Sequence, residues 1–392
     1  MTPLWPHPHD PLTGEVDRLC RTERLAERYR QLDGGTQFPR REFRALGAAR
    51  LLGLTLPRRW NGRGLSAGRA GVVLFHLAYR AGTTFSKLAM QPEFCSVLAE
   101  QGDPALARRW YRPLLAGRLL IGNQITEPTA GSDATAIALE AHPTEGGYAL
   151  SGTKSEAAFA VDADAAIVYG RLPGTRGAEG ITAFLVPQSL PGIRRRRSPR
   201  DLGERWQRRG TVTDDGVRVR ASYRIGREGS AFDALRTELV RDRGLLAAIY
   251  LGVARASWEE TVADVAARTA FGRPLSDRQA VAFPLVDDGA ALEAAWLLTQ
   301  QALRRCEQGD DAAAETALAK VMATEVALAT IDHCIQFHGG SGYSSARPHE
   351  QRWRDVRSGP IAHGPSEVLR GIAARRLWPP AARDGRGVSR SR

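Results

Sequence analysis

The sequence predicts an α+β protein in which two helical regions flank a central block of strands. Three observations lead there. Residues 15–119 carry apolar side chains at helical spacing, around Phe43, Leu46, Leu51 and Leu52 and again through Val72, Leu74, Leu77 and Ala78. From Ile121 to about Arg227 the chain breaks into short alternating runs separated by glycines: GYALSG, DAAIVYG, ITAFLVP and GVRVRA. From Ala231 the helical period returns and persists to about Leu377.

The elements follow in order. Pro57 and the Trp60-Asn61-Gly62 turn end the first helical run, because proline removes a donor and Asn-Gly favours left-handed backbone. ALARRWYRPLLAGRLL is a further short helix whose Trp110 and Tyr111 belong to the core. Within the strand region, residues 193–210 (IRRRRSPRDLGERWQRRG) hold too many charges for a buried strand and read as an exposed loop with flanking edge strands. LRTELVRDRGLLAAIYLGVARASWEETVADVAARTAFG is one long helix ended by Gly272 and Pro274. ALEAAWLLTQQALRRCEQG and TALAKVMATEVALATIDHCIQFHGG supply two more. The resulting divisions are an N-terminal helical domain over 1–119, a β domain over 120–228, a helical domain over 229–380 and a polar, disordered tail over 381–392.

Composition limits the function. At 392 residues the chain exceeds one small core. No run of about 18 apolar residues occurs, so no membrane span is expected. The opening MTPLWPHPHDPLTGEVDR lacks the basic and apolar regions of a secretory signal. Cys20, Cys95, Cys306 and Cys334 are far apart and lack metal-ligand spacing, which suits buried thiols in a reducing cytoplasm and no metal site. The net charge of +12 favours encounter with an acidic partner; a genome-wide composition bias is the competing explanation. No nucleic-acid-binding motif appears, and the basic residues are not interleaved with aromatics. An acidic carrier protein or a phosphate-bearing cofactor fits better than nucleic acid.

Four segments could carry chemistry. In NQITEPTAGSD, 123–133, Pro128 and Gly131 force a turn that offers the Thr126 and Ser132 hydroxyls and free backbone N–H groups. GYALSGTKSEAAFAVDADAAIVYGR spans 147–171, and RTAFGRPL spans 268–275. The last, QFHGGSGYSSARPHEQRWRDVRSGPIAHGPSEVLR, 336–370, holds two glycine-rich turns whose consecutive N–H groups can cradle phosphate oxygens.

Together these strings resemble the signatures of the acyl-CoA dehydrogenase family: TEPxAGSD, GYxLNGxKxWITNAxxADxxxVxAR, RxxFGxPL…Q, and QxxGGxGY…RDxRxxxIxEGTSE. The resemblance covers roughly residues 25–378. It implies an N-terminal helical domain, a middle β-barrel-like domain and a C-terminal four-helix bundle, assembled as homodimers or homotetramers with FAD at subunit contacts. It assigns Thr126, Gly131 and Ser132 to the flavin loop. It assigns Arg268 to the FAD pyrophosphate of a neighbouring subunit, with Phe271 close by. Gln336, Gly339 and Gly340 would approach the adenosine half of FAD, as would Ser366 and Glu367.

The chain also departs from the pattern. Glu156-Ala157-Ala158 replaces the family's Trp-Ile-Thr beside the flavin ring, so the threonine hydroxyl is missing at Ala158. Pro365 replaces a threonine and removes both a hydroxyl and an N–H. His363 stands where most members place the catalytic glutamate. Other branches supply a glutamate from the long helix just before an arginine, and that position is Asp242, preceding Arg243, which is assigned to the substrate. Asp242, His363 or neither could be the base, and Glu238 lies one turn before Asp242 on the same helical face.

The expected activity is FAD-dependent α,β-dehydrogenation of an acyl thioester carried on coenzyme A or on a carrier protein. The alternatives are a divergent member with flavin monooxygenase-like or non-redox thioester chemistry, and a non-catalytic subunit.

Overall fold

The computed structural model describes residues 7–378. The tail expected to be disordered, 381–392, lies outside the described residues. Six helices open the chain: α1 (Thr13–Thr22), α2 (Leu25–Leu32), α3 (Arg40–Ala48), α4 (Ala67–Met90), α5 (Ser96–Gln101) and α6 (Pro104–Leu115). Asp103 caps α6 by accepting from the Ala105 and Leu106 N–H groups, and Pro104 fills the first turn, where a missing donor costs nothing. α3 stops at Ala48, so Leu51 and Leu52 belong to the following loop, although both are buried. Tyr111 is fully buried as expected, whereas Trp110 is half-buried.

Eight strands follow: β1 (Ile121–Gln124), β2 (Glu140–Thr144), β3 (Gly147–Ala157), β4 (Ala165–Arg171), β5 (Ile181–Pro187), β6 (Ile193–Arg197), β7 (Gly210–Arg220) and β8 (Arg224–Ile225). They form one sheet in the order β6-β7-β3-β2-β4-β5-β8, with β1 added parallel to β4. β4 and β5 are buried on both faces. Ala165, Ile167 and Tyr169 face the main core, while Ala166 and Val168 join a second cluster with Leu139, Tyr148, Leu150, Phe184, Val186, Val217 and Val219. Residues of β3, β4, β5 and β7 thus enclose a core of their own, which explains the near-continuous apolar run of DAAIVYG. Within 193–210, expected to be an exposed loop with flanking edge strands, residues 193–197 form edge strand β6 with its arginines exposed. An edge strand carries this charge because only one side is paired and the side chains reach water.

The last part holds α7 (Ala231–Ala267), a small hairpin of β9 (Thr269–Ala270) and β10 (Arg273–Pro274), α8 (Gln279–Glu307), α9 (Ala313–His338), α10 (Gly340–Tyr343), α11 (His349–Val356) and α12 (Ser366–Leu377). α7 ends at Ala267, before the expected stop at Gly272. Arg268 turns extended, and Phe271 and Gly272 take positive φ at the hairpin tip. α7, α8, α9 and α12 pack as the C-terminal bundle, and α7 also runs along α4. Gly252 permits that close approach, since a Cβ there would lie 2.2 Å from the Phe75 carbonyl oxygen.

Candidate active site

The flavin-loop segment is held from below. Glu127 accepts the Ala138 and Leu139 N–H groups and receives the fully buried Lys154 ammonium at 2.8 Å. Lys154 also donates to the Ile125 carbonyl, and the Ser155 N–H donates to that of Thr126. This clamp presents Thr126 half-buried and leaves Gly131 and Ser132 exposed, with open space around Gly131. Ala158 lies in the turn after β3, half-buried, with its carbonyl near Gly122. Glu156 is exposed at a positive φ of 54°, and its carboxylate pairs with Arg209 at 3.2 Å. Arg209 in turn binds Asp201 at 2.9 Å.

A second group forms at the end of α9. Arg268 is exposed and makes only two long bonds, 3.4 and 3.5 Å, to the Phe337 and His338 carbonyls. Gln336, Gly339 and Gly340 are exposed beside it. Gly339 has φ +61°, and the only heavy atom near a Cβ built there is an Arg268 terminal nitrogen. Phe271 is 94% exposed, with the Arg278 guanidinium 5.1 Å above its ring. Spare guanidinium donors and open glycine backbone suit an anionic dinucleotide. Ser366, apart from this group, buries an unpartnered Oγ at the start of α12, which packs on the first half of α9, and Glu367 is exposed next to it. Among the described residues, no hydrogen bond or ion pair joins the Arg268 group to Thr126, Ser132 or Ala158.

Asp242 is buried on α7. Arg241 lies beside it, with 3.6 Å between Nε and Oδ1, an ion pair too long to be a hydrogen bond. Oδ1 has no hydrogen-bond partner. Burial pushes the carboxyl up to about 7, against the pull of Arg241, and the nearby Glu93 charge adds to the rise. Glu93 is buried in the turn before α5 and receives the Thr55 N–H and hydroxyl. Arg241 reaches Glu93 at 3.8 Å and the Ser96 hydroxyl at 3.1 Å. Glu238 is buried too, and burial together with the Asp242 charge pushes its carboxyl well up. The phenol of Tyr169 and the thiol of Cys95, both fully buried, are raised by burial and then by the charges of Glu238 and Asp242.

His363 stands on a different footing. It adopts a positive φ of 55°, and its ring packs 4.7 Å from that of Phe94. Burial and then the charges of Lys320, Lys87 and Arg243 push its imidazole down to about 3. Arg243 donates from Nε to the His363 carbonyl at 3.2 Å. Lys320 donates to the carbonyls of Ala362 and Gly364, so the turn is clamped from two helices. Burial lowers the Lys320 ammonium to about 7.

Sequence reading missed Glu93, Tyr169 and Lys320. Lys320 had a visible signal, the single cation in the largely apolar ALAKVMATEVA. Glu93 and Tyr169 had none, because only the fold brings them to α7.

Comparison with known proteins identifies the family. Three family models match in succession: the N-terminal domain of acyl-CoA dehydrogenase over residues 9–118, the middle domain over 122–217 and the C-terminal domain over 229–378. The chain belongs to the acyl-CoA dehydrogenase family and is an FAD-dependent oxidoreductase. It is 31% identical to benzylmalonyl-CoA dehydrogenase of Aromatoleum aromaticum over 91% of this chain and 94% of that protein. It is also 31% identical to the L-prolyl-[peptidyl-carrier protein] dehydrogenase of Pseudomonas fluorescens, over 87% and 90% of the two chains. Butyryl-CoA dehydrogenase of Megasphaera elsdenii superposes with a TM-score of 0.87 at 25% identity, over 94% of this chain and 98% of the other.

Proposed function

We propose that this protein introduces an α,β double bond into an acyl thioester, with Asp242 as the base. One observation carries the reading: Asp242 is a buried carboxyl with an unpaired oxygen and an affinity for protons matched to neutral pH. A general base works best when its pKa lies near the operating pH. His363, at about 3, is too weak a base to compete for a carbon acid.

Asp242 takes the proton from the α-carbon; FAD, when bound, would supply the acceptor for the hydride leaving the β-carbon. Arg243 and Lys320 hold the His363 turn closed against α7 and α9. Thr126, Gly131 and Ser132 face the flavin from one subunit. Arg268, Gln336, Gly339 and Gly340 would hold the phosphate and adenosine portions at a subunit contact, and Ser366 and Glu367 would meet the cofactor from the separate turn before α12. Ala158 contributes backbone alone. The acyl group rides on coenzyme A or on a carrier protein. The CoA-linked and carrier-linked substrates named for its relatives support both, and the positive charge of this chain supports an acidic carrier.

The test is anaerobic mixing of flavin-loaded protein with an acyl thioester, following loss of flavin absorbance. Asp242→Asn is expected to retain FAD and to lose bleaching by on the order of a thousandfold. Wild-type bleaching by Asp242→Asn, with loss in His363→Ala, would reverse the assignment.

A further inference from the structure

Resting on the assignment of Asp242 as base, we infer that the acyl group carries a protonated amine on or next to its α-carbon, and that Glu238 receives it. The observation is a cluster of buried carboxyls with too few partners. Three carboxyls, Glu93, Glu238 and Asp242, share Arg241 as a neighbouring cation, while Arg243 acts on Asp242 alone among them and turns its Nε to the His363 carbonyl. Glu93 is satisfied by Thr55, and Asp242 has the Arg241 ion pair. Glu238 has neither: at 6% exposure, both its oxygens lack a hydrogen-bond partner. The Ser96 backbone N–H exerts the smallest of the pulls on its carboxyl, and the contact falls short of hydrogen-bond geometry.

Leaving a buried carboxylate unpaired costs several kcal/mol, and such groups are retained where a ligand completes them. The same neighbourhood holds a second orphan, the fully buried Tyr169 hydroxyl. An aliphatic acyl chain would leave every one of these atoms unpaired. An ammonium donates three hydrogen bonds and supplies a positive charge that favours the ionised form of Glu238. Spacing also fits. Positions four apart on a helix are separated by about 6 Å along its axis, which lets one carboxyl meet the α-hydrogen while the other meets a nitrogen one or two bonds away. The cation would further favour the ionised, proton-accepting form of Asp242, so the substrate completes the base. The charged and titratable groups facing this pair are Glu93, Cys95 and Glu100 from the α5 side, Tyr111 from α6, Tyr169 from β4, and Arg241 and Arg243 from α7.

The experiment uses full-length, flavin-loaded protein with two pantetheine thioesters that differ only at the α-substituent: 2-aminobutyryl and 2-methylbutyryl. Binding is read by calorimetry and turnover by flavin bleaching. The amine compound is expected to bind and react on the order of 100-fold better, and Glu238→Gln to cut that preference at least tenfold. A lower apparent pKa in the acid limb of the rate with the amine substrate would reinforce it. Equal binding of the two thioesters by wild type overturns the inference, as does a preference unchanged in Glu238→Gln. Amine-selective binding without bleaching would keep the inference and reject the dehydrogenase assignment, so the two failures are distinguishable.

Discussion

Asp242 carries opposite demands in one side chain, and these give a prediction with a definite sign. Turnover needs the ionised form, so the rate is expected to rise with pH and reach half its limit at about pH 7. The fold prefers the neutral form. A carboxyl raised on folding contributes stability that is fully present only below its unfolded value of 3.8 and is lost progressively as pH rises from there through about 7. Asp242→Asn mimics the neutral state permanently. It is therefore expected to melt several degrees above wild type at pH 8 and nearly together with it at pH 4, while remaining inactive at both. Calorimetric scans at the two pH values check this, and equal melting at pH 8 would mean that Asp242 is ionised without strain. How legible such residues were in the sequence depends on where their partners lie. Asp242, Arg268, Gly339 and Ser366 stand inside local strings whose order reflects one turn or one helix end. Glu93 helps set the behaviour of Asp242, and Cys95 and Tyr169 feel the Asp242 charge, yet they come from the approach to α5 and from β4. No local pattern announces a contact made by tertiary packing. The Glu156 departure was visible as a letter, but its consequence, an exposed carboxylate tied to Arg209, needed the β3 bulge to appear.

At the scale of elements, α4 shows how a break in a helix can serve packing. Gly82 has φ +77° and ψ −174° inside this helix, and a Cβ there would press on the Tyr29 ring at 2.8 Å. The kink admits Tyr29, whose hydroxyl donates to Asp355 at 2.7 Å. Thr83 donates to the same carboxylate, whose other oxygen takes the Glu204 N–H. Glu204 pairs with the buried Lys87 and accepts the Ser358 hydroxyl. The network thus fastens α2, α4, the turn before β7 and the end of α11 to one another. Gly82→Ala meets both backbone strain and a ring clash, and is expected to cost about 3 kcal/mol. A urea melt should show the midpoint fall with the slope unchanged. A loss under 1 kcal/mol would mean that Tyr29 can move aside freely. Helical periodicity revealed α4 as apolar and helical but concealed the kink, because a single glycine among Ala, Val and Leu does not disturb the period. The end of α7 was misplaced for a related reason: Thr269 and Ala270 suit helix or strand, and pairing with Arg273 and Pro274 decided between them.

For the molecule as a whole, exposed apolar surface on α8 argues for association. Phe283, Val286 and Leu297 are each more than half exposed, and Ala290 and Ala294 between them are exposed too. Their spacing traces one stripe along the helix. Phe271, nearly fully exposed at the hairpin tip, lies just ahead of the helix carrying the stripe, close in sequence to Arg268. A continuous apolar stripe of this kind marks an interface rather than a solvated face. The two proposed halves of the cofactor cradle, meanwhile, share no hydrogen bond or ion pair among the described residues. A second copy packed on α8 would bury the stripe and let Arg268, Gln336 and Gly339 of one subunit meet the dinucleotide held by Thr126 and Ser132 of the other. Oligomer state and flavin content should then fall together. Val286→Glu with Leu297→Glu places two charges in that interface and is expected to yield monomers that lose FAD on gel filtration, at unchanged helical content. Sedimentation velocity read at 280 nm and at the flavin band measures both quantities in one run. Monomers that keep stoichiometric FAD would place the whole cradle within a single chain, and an intact oligomer would move the interface off α8.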